Sequence, residues 1–388
     1  MNINIYKYVI TNVTPLVITA PSGYRGLSYS CVADYINGSM VRGAFLTSLM
    51  SNGLIKQDEI EKISYNIRVT PALPCNTPES KLYEDVMFAH SLAYRFKSKD
   101  VAIYSLNVSK LLDLIKKGEN VKKIIVKLIK NVSDLLISTG MIKDLRHHPV
   151  EIKRMEGATI VRDNNMWKAL SPEVGLYVET SIERARGSSR PGILYAYEYI
   201  TPGTLFTGYI SYLSKGEDDL AALLEDLSKS RKELIVRIGR GTGRGYGICR
   251  LKLESHEVKP EVIKEDIIAF EVIGPTFTIS PYPRPLIKGD EISVKVPTLG
   301  STKLKILYAI GRKTITYRGW SYLYNAPRVP ITAQAPGFIL IARILECQEL
   351  GNILAYMPYI GLDENSTLGF NILYPLLEDF IPELEVIT

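Results

Sequence analysis

Long apolar runs are missing from this 388-residue chain. No stretch approaches the ~18 apolar residues of a membrane span, and mean hydropathy is only +0.04. The opening Met1-Asn2-Ile3-Asn4-Ile5-Tyr6-Lys7-Tyr8 alternates like a strand and lacks the basic start and apolar core of a signal peptide. A soluble, cytoplasmic protein is the expectation. Cysteine is scarce: Cys31, Cys75, Cys249 and Cys347 form no CxxC pair, and the 4 histidines form no HxxxH. Metal and cofactor sites are therefore not expected. Neither sign of charge dominates, with 47 Lys and Arg against 41 Asp and Glu, a net +6. That mild excess permits a polyanionic partner without requiring one. Glutamine is confined to Gln57, Gln334 and Gln348, which with abundant Ile and Lys leans toward a thermophilic, archaeal source. Phenylalanine is outnumbered by tyrosine, 9 to 24, which matters where bases stack on rings whose hydroxyls stay wet.

Periodicity gives the organisation. Residues 1–20 read as a long strand ending at Pro21-Ser22-Gly23, and a helix is expected from near Ser39 to about Ser51, stopped by Asn52-Gly53. Across 119–138, Val121, Ile124, Ile125, Leu128, Ile129, Val132, Leu135 and Leu136 recur at helical spacing. Lys122, Lys123, Lys127 and Lys130 form the opposite, solvated face. From residue 175 the pattern turns to strands, with 193–199 and 205–212 around the turn Thr201-Pro202-Gly203. A helix over 216–230 and strands over 234–238 and 248–253 follow; in the last, Cys249, Leu251 and Leu253 face opposite to Arg250, Lys252 and Glu254. The order suggests an α+β fold of ferredoxin-like type with helices on one face.

The last third echoes the middle. Thr201-Pro202-Gly203-Thr204-Leu205-Phe206 matches Ala335-Pro336-Gly337-Phe338-Ile339-Leu340, and Ile238-Gly239 with Gly247 matches Ile360-Gly361 with Gly369 at the same spacing. Two matches in one order favour duplication. The expected division is 1–258, with a helical insertion at about 52–170, and a degenerate second copy over 259–388.

The segment Arg237-Ile238-Gly239-Arg240-Gly241-Thr242-Gly243-Arg244-Gly245-Tyr246-Gly247 interleaves five glycines with arginine, threonine and tyrosine. Glycine weakens regular structure by about 1 kcal/mol relative to alanine, so five together need a cause. Close backbone approach to phosphates is one, with Arg240 and Arg244 adding charge and Tyr246 a stacking face. A flexible hairpin tip would explain the glycines but not the arginines. No Gly-Lys-Ser/Thr follows, and no frame completes GxGxxG. A nucleotide-binding enzyme is thus a remote reading. Earlier, Ile36-Asn37-Gly38-Ser39-Met40-Val41-Arg42-Gly43 reads as a turn feeding a helix. Ser39 is the expected N-cap, Arg42 suits an anion near the helix start, and Gly43 is expected to admit another backbone.

These two segments together resemble the RAMP superfamily of CRISPR effector proteins, whose members carry an I-P-G-S-S-L-R/K-G turn and a later glycine-rich loop. Here Asn37 stands where that pattern has proline. Glu183-Arg184-Ala185-Arg186-Gly187, Gly192-Ile193-Leu194-Tyr195 and Gly203-Thr204-Leu205-Phe206-Thr207-Gly208 sharpen the likeness toward the large RAMP subunit of subtype III-D. The resemblance implies two ferredoxin-like (RRM-like) domains, the second degenerate, in a ribonucleoprotein that holds a CRISPR RNA for antiviral defence. Its implied partners are that RNA, other RAMP subunits, the large polymerase-like subunit and, indirectly, target RNA. It implies that Gly239 to Gly247, with Arg237, cradles the RNA backbone, and that Gly38, Ser39 and Arg42 hold a phosphate. Arg184, Arg186 and Arg190 would lie along the same path, and the subunit would cap the 5′ repeat-derived handle at an end of the complex.

Target-slicing relatives place an aspartate before the turn, but Thr19 through Val32 contain no Asp or Glu, and Asp34 lies almost inside it. The alternative reading is a metal-independent endoribonuclease maturing CRISPR precursor RNA, for which His147 and His148, among Lys143, Arg146, Lys153 and Arg154, are the only candidate cluster. A non-catalytic RNA-binding subunit is preferred, because a His pair before Pro149 is more often a surface loop. Purified protein incubated with repeat RNA in EDTA is expected to leave it intact. Specific cleavage that disappears in His147→Ala or His148→Ala would overturn that preference.

Overall fold

The first strand is apolar enough to be buried along most of its length, and it becomes the axis of the first sheet. In the computed structural model, β1 (Asn2–Asn12) pairs antiparallel with β14 (Leu205–Ser214) on one side and β16 (Ile248–His256) on the other. The structure describes residues 2–24, 29–96, 103–127, 130, 152–164, 166–183, 188–214, 218–230, 232–260, 265–279, 282–297, 299–318, 320–321, 326–327, 329–347 and 350–377. Between β1 and β14 lie β2 (Thr19–Tyr24), β3 (Tyr29–Val32), α1 (Gly38–Ser51), α2 (Ile60–Ser64), β4 (Ile67–Val69) and β5 (Leu73–Cys75). Next come β6 (Val86–Phe88), β7 (Ala93–Phe96), β8 (Ile103–Ser105), α3 (Val108–Lys116) and a helical stretch α4 at 121–127. The series closes with β9 (Ile152–Arg154), β10 (Thr159–Asp163), β11 (Met166–Ala169), β12 (Val174–Glu183) and β13 (Ser188–Ile200). After β14 follow α5 (Asp219–Ser230), β15 (Leu234–Arg237) and then β16.

The first sheet runs β15-β16-β1-β14-β4, with β5 also on β14. Its inner face meets α1 and α5 through Tyr8, Ile10, Val41, Phe45, Leu49, Phe206, Leu224 and Leu251. α5 starts where Asp218 accepts from the Ala221 N–H at 2.8 Å, an N-cap that satisfies one of the first-turn donors. The chain leaves β1 earlier than its apolar pattern suggests. Asn12 is buried, and its amide donates to the carbonyls of Thr201 and Thr14, turning residues 13–18 away from the sheet. Thr201-Pro202-Gly203 is the expected turn, and it carries the chain from one sheet to another: β13 pairs with β12, and β14 with β1.

The second sheet comprises β17 (Ile267–Val272), β18 (Glu291–Val296), β19 (Gly300–Ile310), β24 (Ile339–Cys347) and β25 (Leu373–Pro375), in the order β18-β19-β24-β17-β25. Short strands β20 (Thr314–Tyr317), β21 (Trp320–Ser321), β22 (Ala326–Pro327) and β23 (Ile331–Gln334) lie between β19 and β24, and α6 (Leu350–Ile360) precedes β25. Every residue of β17 is buried. Phe270, Leu340, Ala342 and Leu304 face α6 at Ile353, Leu354 and Met357. Ile267, Ala269, Ile339 and Ile341 meet Leu111 and Ile115 of α3 and Val121 and Ile124 of α4, all from the insertion. A sheet covered on both faces needs continuous apolar stretches, which Ile267–Phe270 of β17 and Ile339–Ala342 of β24 supply.

The two sheets show the same permutation. The series β1, β4, β14, β16 is ordered β16-β1-β14-β4, and β17, β19, β24, β25 is ordered β25-β17-β24-β19. Among the described residues no helix joins β17 to β18, whereas α1 occupies the corresponding place in the first unit. Gly203 and Gly337, Gly239 and Gly361, and Gly247 and Gly369 all have left-handed φ, so the echoed glycines are also conformational matches. Of the expected insertion, β4 and β5 belong to the first sheet, and β6 to β11 form two small sheets apart from it. The expected helix at 119–138 is helical at 121–127 and at 130; residues 128–129 and 131–138 lie outside the described residues. Among the described residues no helix is long and apolar enough to cross a membrane.

A tyrosine seam joins the units: the Tyr83 ring stacks on Tyr374 at 4.6 Å, and its hydroxyl donates to the Pro358 carbonyl at 2.9 Å. Beside it Glu271 is buried, with neither carboxylate oxygen hydrogen-bonded among the described residues. Burial alone holds its pKa well above the usual carboxylate range. The folded protein thus keeps a proton that the unfolded chain releases, and stability should fall as pH rises from the ordinary carboxylate range, by up to about 1.4 kcal/mol per pH unit. Glu271→Gln should flatten that slope in thermal unfolding between about pH 5 and 8. Parallel curves for the two proteins would show that Glu271 ionises freely.

Candidate nucleic-acid interface

The glycine loop is built on backbone geometry that only glycine tolerates easily. Gly239 has φ 86°, and a Cβ there would lie 2.3 Å from the Val17 carbonyl oxygen. At Gly247, φ is 66° and a Cβ would lie 1.9 Å from the carbonyl oxygen of Ile238, to which the chain returns. Between them a single turn over Thr242–Arg244 is flanked by Gly241 and Gly245, both left-handed. The loop is anchored: the Arg240 N–H donates to Val17 and the Gly247 N–H to Pro15, each at 2.9 Å. It is a clamped projection from β15 and β16, not a flexible tip.

Anchoring the backbone leaves Arg237, Gly239, Arg240, Gly243, Arg244 and Gly245 exposed. Arg240 Nη1 lies 3.4 Å from Thr19 Oγ1. Arg244 pairs with Glu179 of β12 at 3.0 Å, and its guanidinium carbon stands 5.4 Å from the Tyr246 ring centre. The hydrogen bond and charge of Glu179 raise the Arg244 pKa above its ordinary value. Tyr197 of β13 donates to Glu179, and its hydroxyl is 3.1 Å from that of Tyr246. Burial, then the Glu179 bond, then Tyr246 push the Tyr197 phenol well above the usual tyrosine range. Such a site offers fixed cationic groups and aromatic faces to an anionic, planar ligand.

The second expected cluster lies elsewhere. α1 begins beside β4, with Gly38 against the Val69 carbonyl, and its Ser48 hydroxyl donates to Ile235 of β15, so it crosses to the opposite sheet edge. The N-cap position is Asn37, without a side-chain cap bond; Ser39 is the second helical residue, and its hydroxyl lies 2.7 Å from that of Tyr317. The turn before it arrives extended from the Ile36–Ala72 bridge, which moves the cap two residues early. Arg42 donates to the Ser64 carbonyl at the end of α2, where a cation suits the helix dipole. Gly43 meets open space rather than another backbone. The close-approach glycine is Gly38, whose Cβ would lie 2.2 Å from Val69 O and 3.1 Å from Gly369 Cα. Arg190 lies on β13, where the backbone alone is described; Arg184, Arg186, His147 and His148 lie outside the described residues.

The sequence model of the RAMP superfamily matches residues 10–250, which hold both glycine segments. The chain belongs to the RAMP superfamily. No curated protein matches it by sequence. Among solved structures it is similar to a chain of the type III-B Cmr-beta bound to cognate target RNA, at 10% identity over 98% of this chain and 99% of that one, TM-score 0.45. For the type III-B Cmr-beta bound to cognate target RNA and AMPPnP the values are 11%, 86% and 86%, and 0.43. For oligomeric Cmr4 from Pyrococcus furiosus they are 14%, 65% and 98%, and 0.28.

Sequence reasoning on this RAMP protein missed Glu179, Tyr177 and Tyr197. The readable signal was Tyr195-Ala196-Tyr197-Glu198-Tyr199, whose two-residue period places the tyrosines on one strand face. The glycine assignments at α1 are open to test by thermal unfolding. Gly38→Ala should destabilise by about 1–3 kcal/mol through overpacking. Gly43→Ala, in an exposed helix interior, should stabilise by about 0.5–1 kcal/mol. Equal effects at the two positions would refute the contact assigned to Gly38.

Proposed function

We propose that this RAMP protein is an RNA-binding, non-catalytic subunit of a type III CRISPR effector complex, of the large III-D kind. In this reading its two sheets are ferredoxin-like units, residues 1–258 and 259–388, related by duplication, the second having no helix after its first strand among the described residues. The shared strand permutation and the matched glycine conformations support that relation. The bound ligand is the CRISPR RNA at its repeat-derived 5′ handle, and the neighbours are other RAMP subunits and the polymerase-like subunit.

The observation that carries the reading is the clamped loop from Gly239 to Gly247, which holds Arg240 and Arg244 exposed on an anchored backbone. Loop ordering then precedes binding, so less conformational freedom is lost when a phosphate arrives. Arg237, Thr242 and Gly243 extend the same surface. Gly38, Ser39 and Arg42 would serve a second stretch of RNA at the far sheet edge, with Arg184, Arg186 and Arg190 along the path.

Filter binding of a CRISPR RNA across a salt series tests this. Wild-type affinity should fall steeply with salt, and Arg240→Ala with Arg244→Ala should shallow the log–log slope by about 1.4, two single-strand phosphate contacts at ~0.7 each. An unchanged slope in the double variant would remove the loop from the RNA site.

A further inference from the structure

The hairpin of β12 and β13 carries an aromatic surface that phosphate binding does not use. In its register Gly175 faces Tyr199 and Tyr177 faces Tyr197, so all four lie on one face of the ribbon. Gly175 leaves room for a ring: a Cβ there would sit 2.3 Å from Tyr199 Cζ, so the Tyr199 ring rests on bare backbone. Tyr177 stacks on Tyr199 with centroids 4.3 Å and planes 27° apart. It also stands 5.6 Å from Tyr246, at 37°, which brings the glycine loop into the same cluster. Tyr177, Tyr199 and Tyr246 are all only half-buried. Core packing would be served by phenylalanine, whereas tyrosine suits a surface with one wet edge.

We infer that Tyr177, Tyr199 and Tyr246 form a stacking platform for a base of single-stranded RNA whose adjoining phosphates lie on the Arg240–Arg244 loop; this rests on the RNA-binding reading. Every base has a π-face, and an aromatic surface beside a cationic groove takes a strand without reading its sequence. Glu179 decides which part of the nucleotide docks. It pairs with Arg244 and accepts from Tyr197, so a carboxylate lies beside the rings. Paired with Arg244, that carboxylate leaves no spare cationic charge beside the rings for a phosphate, and the uncharged base is the group that fits. Arg244, 58% exposed and 5.4 Å from the Tyr246 centroid, borders both regions and steers the backbone to the loop side.

The test uses the full chain and single-stranded RNA oligomers in which 2-aminopurine, or an abasic ribose, is walked along the strand. One or two positions should show a change in 2-aminopurine fluorescence on binding, and an abasic site there should weaken affinity on the order of ten-fold. Tyr177→Ala should weaken binding of the intact strand by a similar factor and abolish the abasic effect at that position. Salt-sensitive binding by the wild type with no abasic effect at any position would remove the platform and leave the RNA reading standing. No RNA binding by the wild type would remove both. Should Tyr177→Ala fail to fold, the abasic walk on the unaltered protein decides by itself.

Discussion

The centre of the second sheet, Ile267–Phe270 and Ile339–Ala342, is apolar on both faces but has one helix of its own among the described residues, and much of the architecture answers that constraint. α6 covers one side. The other is covered by α3 and α4, carried on the insertion that leaves the first unit after β5. Burying Ile267, Ala269, Ile339 and Ile341 is worth about 1.5–3 kcal/mol for each large side chain, so an uncovered face would be a severe liability. The insertion is therefore structural cover first, whatever else it carries. It also makes the units inseparable in packing although they are consecutive in sequence.

The same economy shapes the glycine segments. Gly38 and Gly369 meet backbone to backbone where the first helix of one unit touches the last turn of the other. In the first unit the corresponding turn faces outward, bears Arg240 and Arg244, and is tied down at its base through Val17 and Pro15 and at its side through Glu179. Two turns of like backbone geometry thus serve different ends: one is an internal contact, the other an exposed cationic edge. Net charge plays little part in this, since +6 over the chain says nothing about where guanidinium groups stand.

What could be read from the sequence was what is set locally. The Gly38–Ser51 helix, the strands flanking the glycine loop and the alternation in β16 follow from period and turn chemistry within a dozen residues. The apolar pattern of residues 1–20 misled because Asn12 ends the strand through carbonyls at Thr14 and, far along the chain, Thr201. Gly43 drew attention for its place in a motif, yet Gly38 bears the contact, since only the folded chain brings Val69 and Gly369 to it. The tyrosine face was present as an alternating run, but its meeting with Tyr246 depends on how β13 lies beside the loop, which no window of sequence contains.

Cover supplied from so far away has a kinetic side. The ribosome releases Leu111 and Ile115 long before Ile267 and Ile339 exist to receive them, so the apolar stripe of α3 waits uncovered while the rest is made. Contacts of such sequence separation close late and slowly. A chain stalled or cut before β17 would present that stripe to other chains. Such an exposed apolar stripe makes a fragment of this kind a target for chaperone capture and aggregation.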